Sequence, residues 1–592
     1  MERIIRLLRL VFRNIYYYRV DYIRTFVVIR LFQILIVIPL TTLLFTSMLH
    51  LIGIQSVTEQ NIWQLLKHPL VLTVLVFIVL IFLIFIYYEM GFLMLLAYHQ
   101  QRAIPYTLKG LWKRLNQKVL HFMSFQTIFF VVYLMLVIPL ISSVLPLSIT
   151  QNLQIPRFIV DELLTSTKGQ LLYYGAITVI LVVGLRFIFT LPFFTVYHST
   201  SIWQAVKMSW QFSQRKLIET LSMLALIVIV HVTITATILV IIFVPLYIVE
   251  RLLPGNALVV AAFTLTLAEG FLVLAFTFLQ AVFSQILVLV SFKLTHEKPL
   301  IIQNESFRKT ILHWTIIIGI FMYFLISGLN IINLQKTVYE PTTKIIAHRG
   351  FMEKGVENTL SSLIASAEAG ADMVEIDIQQ TKDGKFIVFH DASLTRLAGK
   401  KESVYQMTQA ELMEVTVHSG QLSDTIPSLE QMLEKSRELN IQLLIEIKTH
   451  GYETDDMLQR LIAMLDQYKA LDVHYIQSLE MDIAIQIKEM EPRLKVGVVY
   501  ALNLGALPKT DLDFIAIEQY FVTERLIEQA KQQEKQLFVW TVNDTRGLQK
   551  YLEQNIDGII TNYPDETNNL REVLNEDQYF LSRIWNKINY IF

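Results

Sequence analysis

The chain lacks cysteine altogether, which excludes disulfides and thiolate metal sites and is compatible with exposure outside a cell. Net charge is almost absent as well, at -1 over 592 residues. No basic stripe or nucleic-acid motif stands out, so nucleic acid is not expected as a partner, and nothing points to an obligate protein partner. Apolar runs continue far past the amino terminus, so no cleavable signal peptide is expected. What the chain has in quantity is apolar surface, 54% of residues with a mean hydropathy of +0.47. That surface is unevenly spread: residues 1–334 read as a membrane protein, residues 344–565 as an α/β domain.

Arg3, Arg6, Arg9, Arg13, Arg19 and Arg24 lie among aromatic and aliphatic residues. They suggest a basic amphipathic helix on an anionic leaflet, or a flank that keeps the amino terminus inside. Seven apolar segments follow, roughly 31–49, 70–96, 122–145, 172–196, 221–245, 258–292 and 311–334, each near the ~20 residues that cross a bilayer. Basic residues cluster in alternate loops: Arg102 to Lys118, Lys207 to Lys216, and Lys293 to Lys309. The positive-inside rule then puts the amino terminus inside and, after seven crossings, residue 335 outside. The sixth segment is long and contains Glu269-Gly270, and two crossings there would reverse the result. Glu89, Arg186, Glu219, His231 and Glu269 fall at membrane depth, where pairing between helices is expected over a substrate path. Pro39, Pro139 and Pro192 are expected to kink their helices.

After a polar linker, 335–343, the periodicity changes to nine strand-like runs alternating with amphipathic helical stretches. That pattern predicts a TIM (β/α)8 barrel, with one run too many for eight places. The turn Lys382-Asp383-Gly384 is too short for a crossover helix, and residues 391–441 are long enough for an inserted subregion. Residues 566–592 form an amphipathic tail, expected to pack on the barrel rather than lie on the membrane face.

Functional groups of such a barrel sit at the carboxyl ends of its strands. His348 and Arg349 close the first run, Glu375 and Asp377 share one face of the second, His390 closes the third, and Glu446 with Lys448 ends the fourth. Glu375, Asp377 and Glu446 make an all-oxygen set suited to one divalent cation, Mg2+ or Ca2+. Two imidazoles across it can exchange the roles of general base and general acid, as an oxygen leaving group on phosphorus requires. Arg349 and Lys448 would neutralise phosphate oxygens. Trp540 reads equally as substrate wall or core, and His418, His450 and His474 as structural.

The ordered motifs AHRG (347–350), ENT (357–359), EID (375–377), TKDG (381–384), HD (390–391) with Leu394 and Arg396, EIK (446–448), WTVN (540–543) and DGIITNYP (557–564) resemble those of the glycerophosphodiester phosphodiesterase family over about 220 residues. The resemblance implies a TIM barrel that hydrolyses glycerophosphodiesters to an alcohol and glycerol phosphate. It places metal ligands at Glu375, Asp377 and Glu446, acid/base histidines at His348 and His390, and phosphate contacts at Arg349 and Lys448. Glu357, Asn358 and Trp540 become supporting residues, with Glu357 holding the first histidine or the substrate. A glycerol hydroxyl would attack phosphorus to form a cyclic phosphate that water opens. Ser478-Leu479 and Asn562 depart from the family pattern, which expects Phe and Asp, and these put substrate preference in question more than activity. The first half resembles the multi-span membrane domain fused to such enzymes in Gram-positive bacteria. The expectation is a membrane-anchored enzyme acting on glycerophosphodiesters, glycerol-phosphate polymers or lipid-linked diesters. Its rivals are a lipid-handling or transport module with an accessory barrel, and a silent binding barrel.

Overall fold

The computed structural model describes residues 2–142, 157–164, 166–292, 305–335, 341–576 and 579–591. The chain divides into two compact units, one made of Met1–Leu51, Lys67–Lys336 and Arg583–Phe592, the other of Ile52–Leu66 and Thr337–Ser582.

Among the described residues, the regular structure of the first unit is all helical. Among those residues, six helices are long and apolar enough to span a bilayer: Arg19–Ile52, Pro69–Gln101, Thr167–Val196, Ile202–Leu252, Pro254–Phe292 and Ile317–Gln335. The third apolar segment of the sequence is instead broken, as Leu108–Met123 and Thr127–Val137 meet at 103°, and it counts as a seventh span only if the pair crosses together. Its last residues, 143–145, lie outside the described residues, as does much of the linker. The long segment with Glu269-Gly270 is one uninterrupted helix, Ala257–Phe292. Proline acts where its missing N–H demands it. A π-helical turn, Gln33–Val37, precedes Pro39, and the helix ending at Phe187 restarts at Thr190 just before Pro192.

Most charge at depth is paired. Arg30 meets Glu89 at 2.8 Å, Lys216 meets Glu219 at 2.6 Å, and Arg186 lies over the Trp210 ring. His231 lines an apolar cavity of about 310 Å³ with Ile227, Phe271 and Phe278. The amino-terminal helix Glu2–Tyr17 buries Leu8, Val11 and Ile15, and its Phe12 stacks on Phe278. The carboxyl-terminal helix Phe580–Ile591 corrects the expectation that it packs on the barrel. It belongs to the helical unit, with Ile584 and Ile588 buried and Trp585 edge-on to Phe243 at 5.6 Å.

The second unit holds thirteen strands in chain order: β1 (Ser56–Thr58), β2 (Lys344–Ala347), β3 (Met373–Gln380), β4 (Phe386–Val388), β5 (Thr416–Ser419), β6 (Leu422–Thr425), β7 (Gln442–Ile447), β8 (Tyr475–Ser478), β9 (Lys495–Tyr500), β10 (Asn503–Gly505), β11 (Phe514–Glu518), β12 (Gln536–Trp540) and β13 (Gly558–Thr561). Eight of them, β2, β3, β7, β8, β9, β11, β12 and β13, run parallel and close into a barrel through the β2–β3 pairing. Such strands are buried on both faces, which is why they read as unbroken apolar runs. Inside, Ile346, Met373, Leu444, Tyr475, Phe514 and Phe538 fill the lumen. Large rings fit because small residues face them: a Cβ on Gly497 would stand 2.3 Å from the Phe514 ring.

The surplus strand of the sequence reading is β4. It folds back antiparallel on β3, with Gln380 opposite Phe386 across the three-residue turn. His390 therefore follows a hairpin, not a barrel strand, and Glu446 ends the third barrel strand, not the fourth. Residues 391–441 carry the β5–β6 hairpin and short helices around their own cluster of Leu394, Leu397, Val404 and Leu412. The last barrel helix, Pro564–Glu576, runs past the boundary at 565, and Arg571 ties it to Asp372 at 2.6 Å. Seven helices follow barrel strands, but β9 is followed by β10 in place of a helix.

Candidate active site

Barrel register decides which side chains meet. Side chains two apart on a strand share a face, so Glu375 and Asp377 both point into the barrel mouth. Asp377 stands opposite Glu446 on β7, and Glu446 opposite Gln477 on β8. The carboxylate oxygens of Glu375, Asp377 and Glu446 lie within 4.8 Å of one another, and all three residues are buried. Gathering three carboxylates out of water is unfavourable unless cations answer them. Burial, then the charges of Asp377 and Glu446, push Glu375 well above the usual carboxylate range. Asp377 is held below that range in spite of burial, because Lys448, His390 and Arg349 surround it. Lys448 bonds Glu446 and lies 3.3 Å from Asp377. The remaining repulsion on Glu375 is what a divalent cation relieves, and an all-oxygen buried triad fits Mg2+ or Ca2+.

Two loops brace this triad. After β2 the chain turns sharply at Arg349 (φ +55°) and Gly350 (φ +82°), where a Cβ would stand 2.4 Å from the Ser362 hydroxyl. The turn aims the Arg349 peptide N–H at Glu375 Oε2, 2.8 Å away. Asn358, also left-handed (φ +58°), donates its amide to Asp377 Oδ2 at 2.8 Å and accepts from the Asp377 N–H at 3.0 Å. Asparagine is one of the few residues that tolerates that backbone region.

The two histidines have different partners. His348 Nδ1 meets Asn562 Oδ1 at 2.8 Å, and burial followed by the Arg349 charge pushes its pKa down to about 3. His390 Nδ1 lies 2.9 Å from Asp391 Oδ1, and Asp391 accepts from Arg396 Nε at 2.7 Å. Arg396 also forks onto Glu357 with two bonds of 2.7 Å, and Glu357 reaches Arg349 at 3.2 Å. Of the two roles expected for Glu357, holding His348 or the substrate, its hydrogen bonds show neither: it clamps two arginines and links the loop after β2 to the one after β4. Trp540 is half-buried against the lumen cluster. His474 accepts from the Leu443 N–H, and His450 bonds the Gln380 carbonyl, so both are structural.

Sequence reasoning missed Gln477 and Glu518. Gln477 Nε2 donates to Glu446 Oε2 at 2.8 Å, and inward alternation along β8 was the signal for it. Glu518, at the end of β11, is fully buried, with one oxygen taken by the Tyr520 N–H and Oε1 left without a partner. Burial pushes its carboxyl up to about 7 from the ordinary 4.5. The folded state therefore binds this proton more tightly than the unfolded chain. Its stabilising effect is complete below pH ~4.5 and is lost as pH rises through ~7, with an upper bound of about 3 kcal/mol. Glu518→Gln removes that dependence, so its thermal midpoint rises relative to wild type between pH 5 and 8. Parallel midpoint curves would count against the assignment.

Comparison with known proteins agrees with this geometry. Residues 8–325 match the membrane domain of glycerophosphoryl diester phosphodiesterase, and residues 348–566 match the glycerophosphoryl diester phosphodiesterase family. A glycerophosphodiester phosphodiesterase of Caldanaerobacter subterraneus is 29% identical over 236 residues, 38% of this chain and 97% of that protein. One from Bacillus altitudinis is 26% identical over 242 residues, 39% of this chain and 98% of its own length. The first match covers more than half of the chain, and the second covers the barrel that carries the carboxylates and histidines. The chain therefore belongs to the glycerophosphoryl diester phosphodiesterases that carry a membrane domain ahead of a TIM barrel.

Proposed function

We propose that this phosphodiesterase is metal-dependent, works by paired histidines, and acts on glycerophosphodiesters or glycerol-phosphate polymers from the outer face of a bacterial plasma membrane. The observation that carries the reading is the buried triad of Glu375, Asp377 and Glu446, braced by Arg349, Asn358, Lys448 and Gln477. Bound there, Mg2+ or Ca2+ supplies Lewis-acid stabilisation of charge on the phosphate. The chain's own residues do the rest. His348, neutral at physiological pH, takes the proton from the attacking glycerol hydroxyl. His390, with Asp391 on Nδ1, uses Nε2 to protonate the departing alkoxide. Arg349 and Lys448 neutralise the phosphate oxygens as charge accumulates. The two imidazoles then exchange roles while water opens the cyclic phosphate.

Outward placement rests on loop charge and on β1. The segment Ile52–Leu66 follows the first apolar helix, and it belongs to the same compact unit as the barrel. The shared unit supports one side of the membrane for both. Basic residues before that helix and in the loop from Arg102 to Lys118 favour the outside for that side.

The test is the purified full chain with a soluble glycerophosphodiester. Release of glycerol phosphate should fall at least about a hundredfold in EDTA and return when Mg2+ or Ca2+ is added in excess. Turnover indifferent to the chelator overturns the metal role.

A further inference from the structure

Barrel strand β9 is followed by no helix, and the thirteen residues 501–513 make the crossover to β11 through β10 alone. What covers that gap comes from far away in sequence. β1 pairs antiparallel with β10, Ser56 opposite Gly505, Val57 opposite Leu504 and Thr58 opposite Asn503. All three β1 residues are buried. Four further bonds fasten the segment. The Ala506 N–H donates to the Gln55 carbonyl, the Lys509 N–H to Gln55 Oε1, the Leu502 N–H to Glu59 Oε2 at 3.0 Å, and Gln60 Nε2 to the Leu479 carbonyl at 2.8 Å.

These anchor points lie at the catalytic end of the barrel, where β8 and β9 finish. Leu479 is two residues beyond Gln477, which holds Glu446, and its side chain packs on the lumen cluster. Both side-chain atoms of Asn503 and Oε1 of Glu59 are buried without a protein partner. Unmet polar groups of that kind persist where a ligand or water meets them.

We propose that residues Gln55 to Gln60, between the first two apolar helices, form part of the substrate cleft, with Gln60 as a positioning residue that sets the wall made by Leu479. This rests on the proposed site but assigns it a component from outside the barrel domain. The Leu479 peptide is held at its carbonyl by a side chain some 420 positions away, so the wall position depends on that bond. Residues 335–592 alone would lack the side chain that holds this wall.

The experiment uses the full chain and a soluble glycerophosphodiester. Gln60→Ala should raise KM three- to tenfold and leave kcat within twofold, because the reacting groups are untouched while the wall is released. Val57→Cys with Leu504→Cys, facing residues of the same pair in a chain with no cysteine of its own, should close a disulfide on mild oxidation, since facing residues of an antiparallel pair stand within bonding range. In the Gln60→Ala background, closing that disulfide should bring KM back toward wild type. An unchanged KM in Gln60→Ala, a fall in kcat alone, or a pair that never cross-links overturns the proposal. A wild-type chain that releases no glycerol phosphate would instead refute the catalytic reading, so the two failures are told apart.

Discussion

His348→Ala lowers kcat/KM for a glycerophosphodiester by about a hundredfold to ten-thousandfold, the range of a positioned acid/base group. Its effect on stability is small, because the ring is half-buried and its Nδ1 has a single hydrogen-bond partner, Asn562. His390→Ala gives a loss of similar size. The double variant falls little below the worse single one, because in the proposed mechanism the two imidazoles serve one step as base and acid and cannot act separately. His348 is suited to accept a proton since burial and Arg349 keep it neutral far below pH 7. Its own ionisation therefore places no limb on the pH profile near neutrality. The measurement is steady-state kinetics on the metal-loaded full chain, with circular dichroism to verify folding. A His348→Ala chain that retains more than about a tenth of wild-type kcat/KM removes the histidine mechanism.

Much of this site was legible in the sequence because its chemistry is local. EID places two carboxylates on one strand face, and HD places a carboxylate beside an imidazole; both relations are fixed by backbone geometry over one to two residues. The barrel was legible from alternation of strand and helix. The errors came from pairings that depend on the third dimension. Phe386 to Phe389 has the composition of a barrel strand, and only the tight turn before it reveals a hairpin. The resemblance implies that Glu357 holds the first histidine or the substrate, yet Arg396, 39 residues on, takes it with two short bonds, shorter than the one from Arg349. β1 was invisible for a simpler reason. Three residues in a polar loop carry no periodicity, and their partner strand is about 450 positions away.

That same pairing makes an all-or-none prediction about the third apolar segment. The described helix Thr127–Ser142 has 16 residues, about 24 Å, against roughly 30 Å of hydrocarbon. Length leaves its crossing open. If Ile52–Leu66 and the barrel, which form one unit, lie on one side of the membrane as proposed, the chain crosses an even number of times between Leu66 and Thr337. Five of the six long helices lie in that interval, and the expected result is that the bent pair supplies the sixth crossing. Loop charge gives the same answer independently. Without that crossing, Lys207, Arg215 and Lys216 would face outward, against the positive-inside rule. Single cysteines placed in this cysteine-free chain at the exposed positions Gln64, Lys113, Lys168 and Lys382 read the topology directly with an impermeant maleimide on intact cells. Positions 64, 168 and 382 should label and position 113 should label only after lysis. Labelling at 64 and 382 but not at 168 shows that the bent pair turns back. Labelling at 64 without 382 separates the first loop from the barrel and removes both the parity argument and the shared cleft.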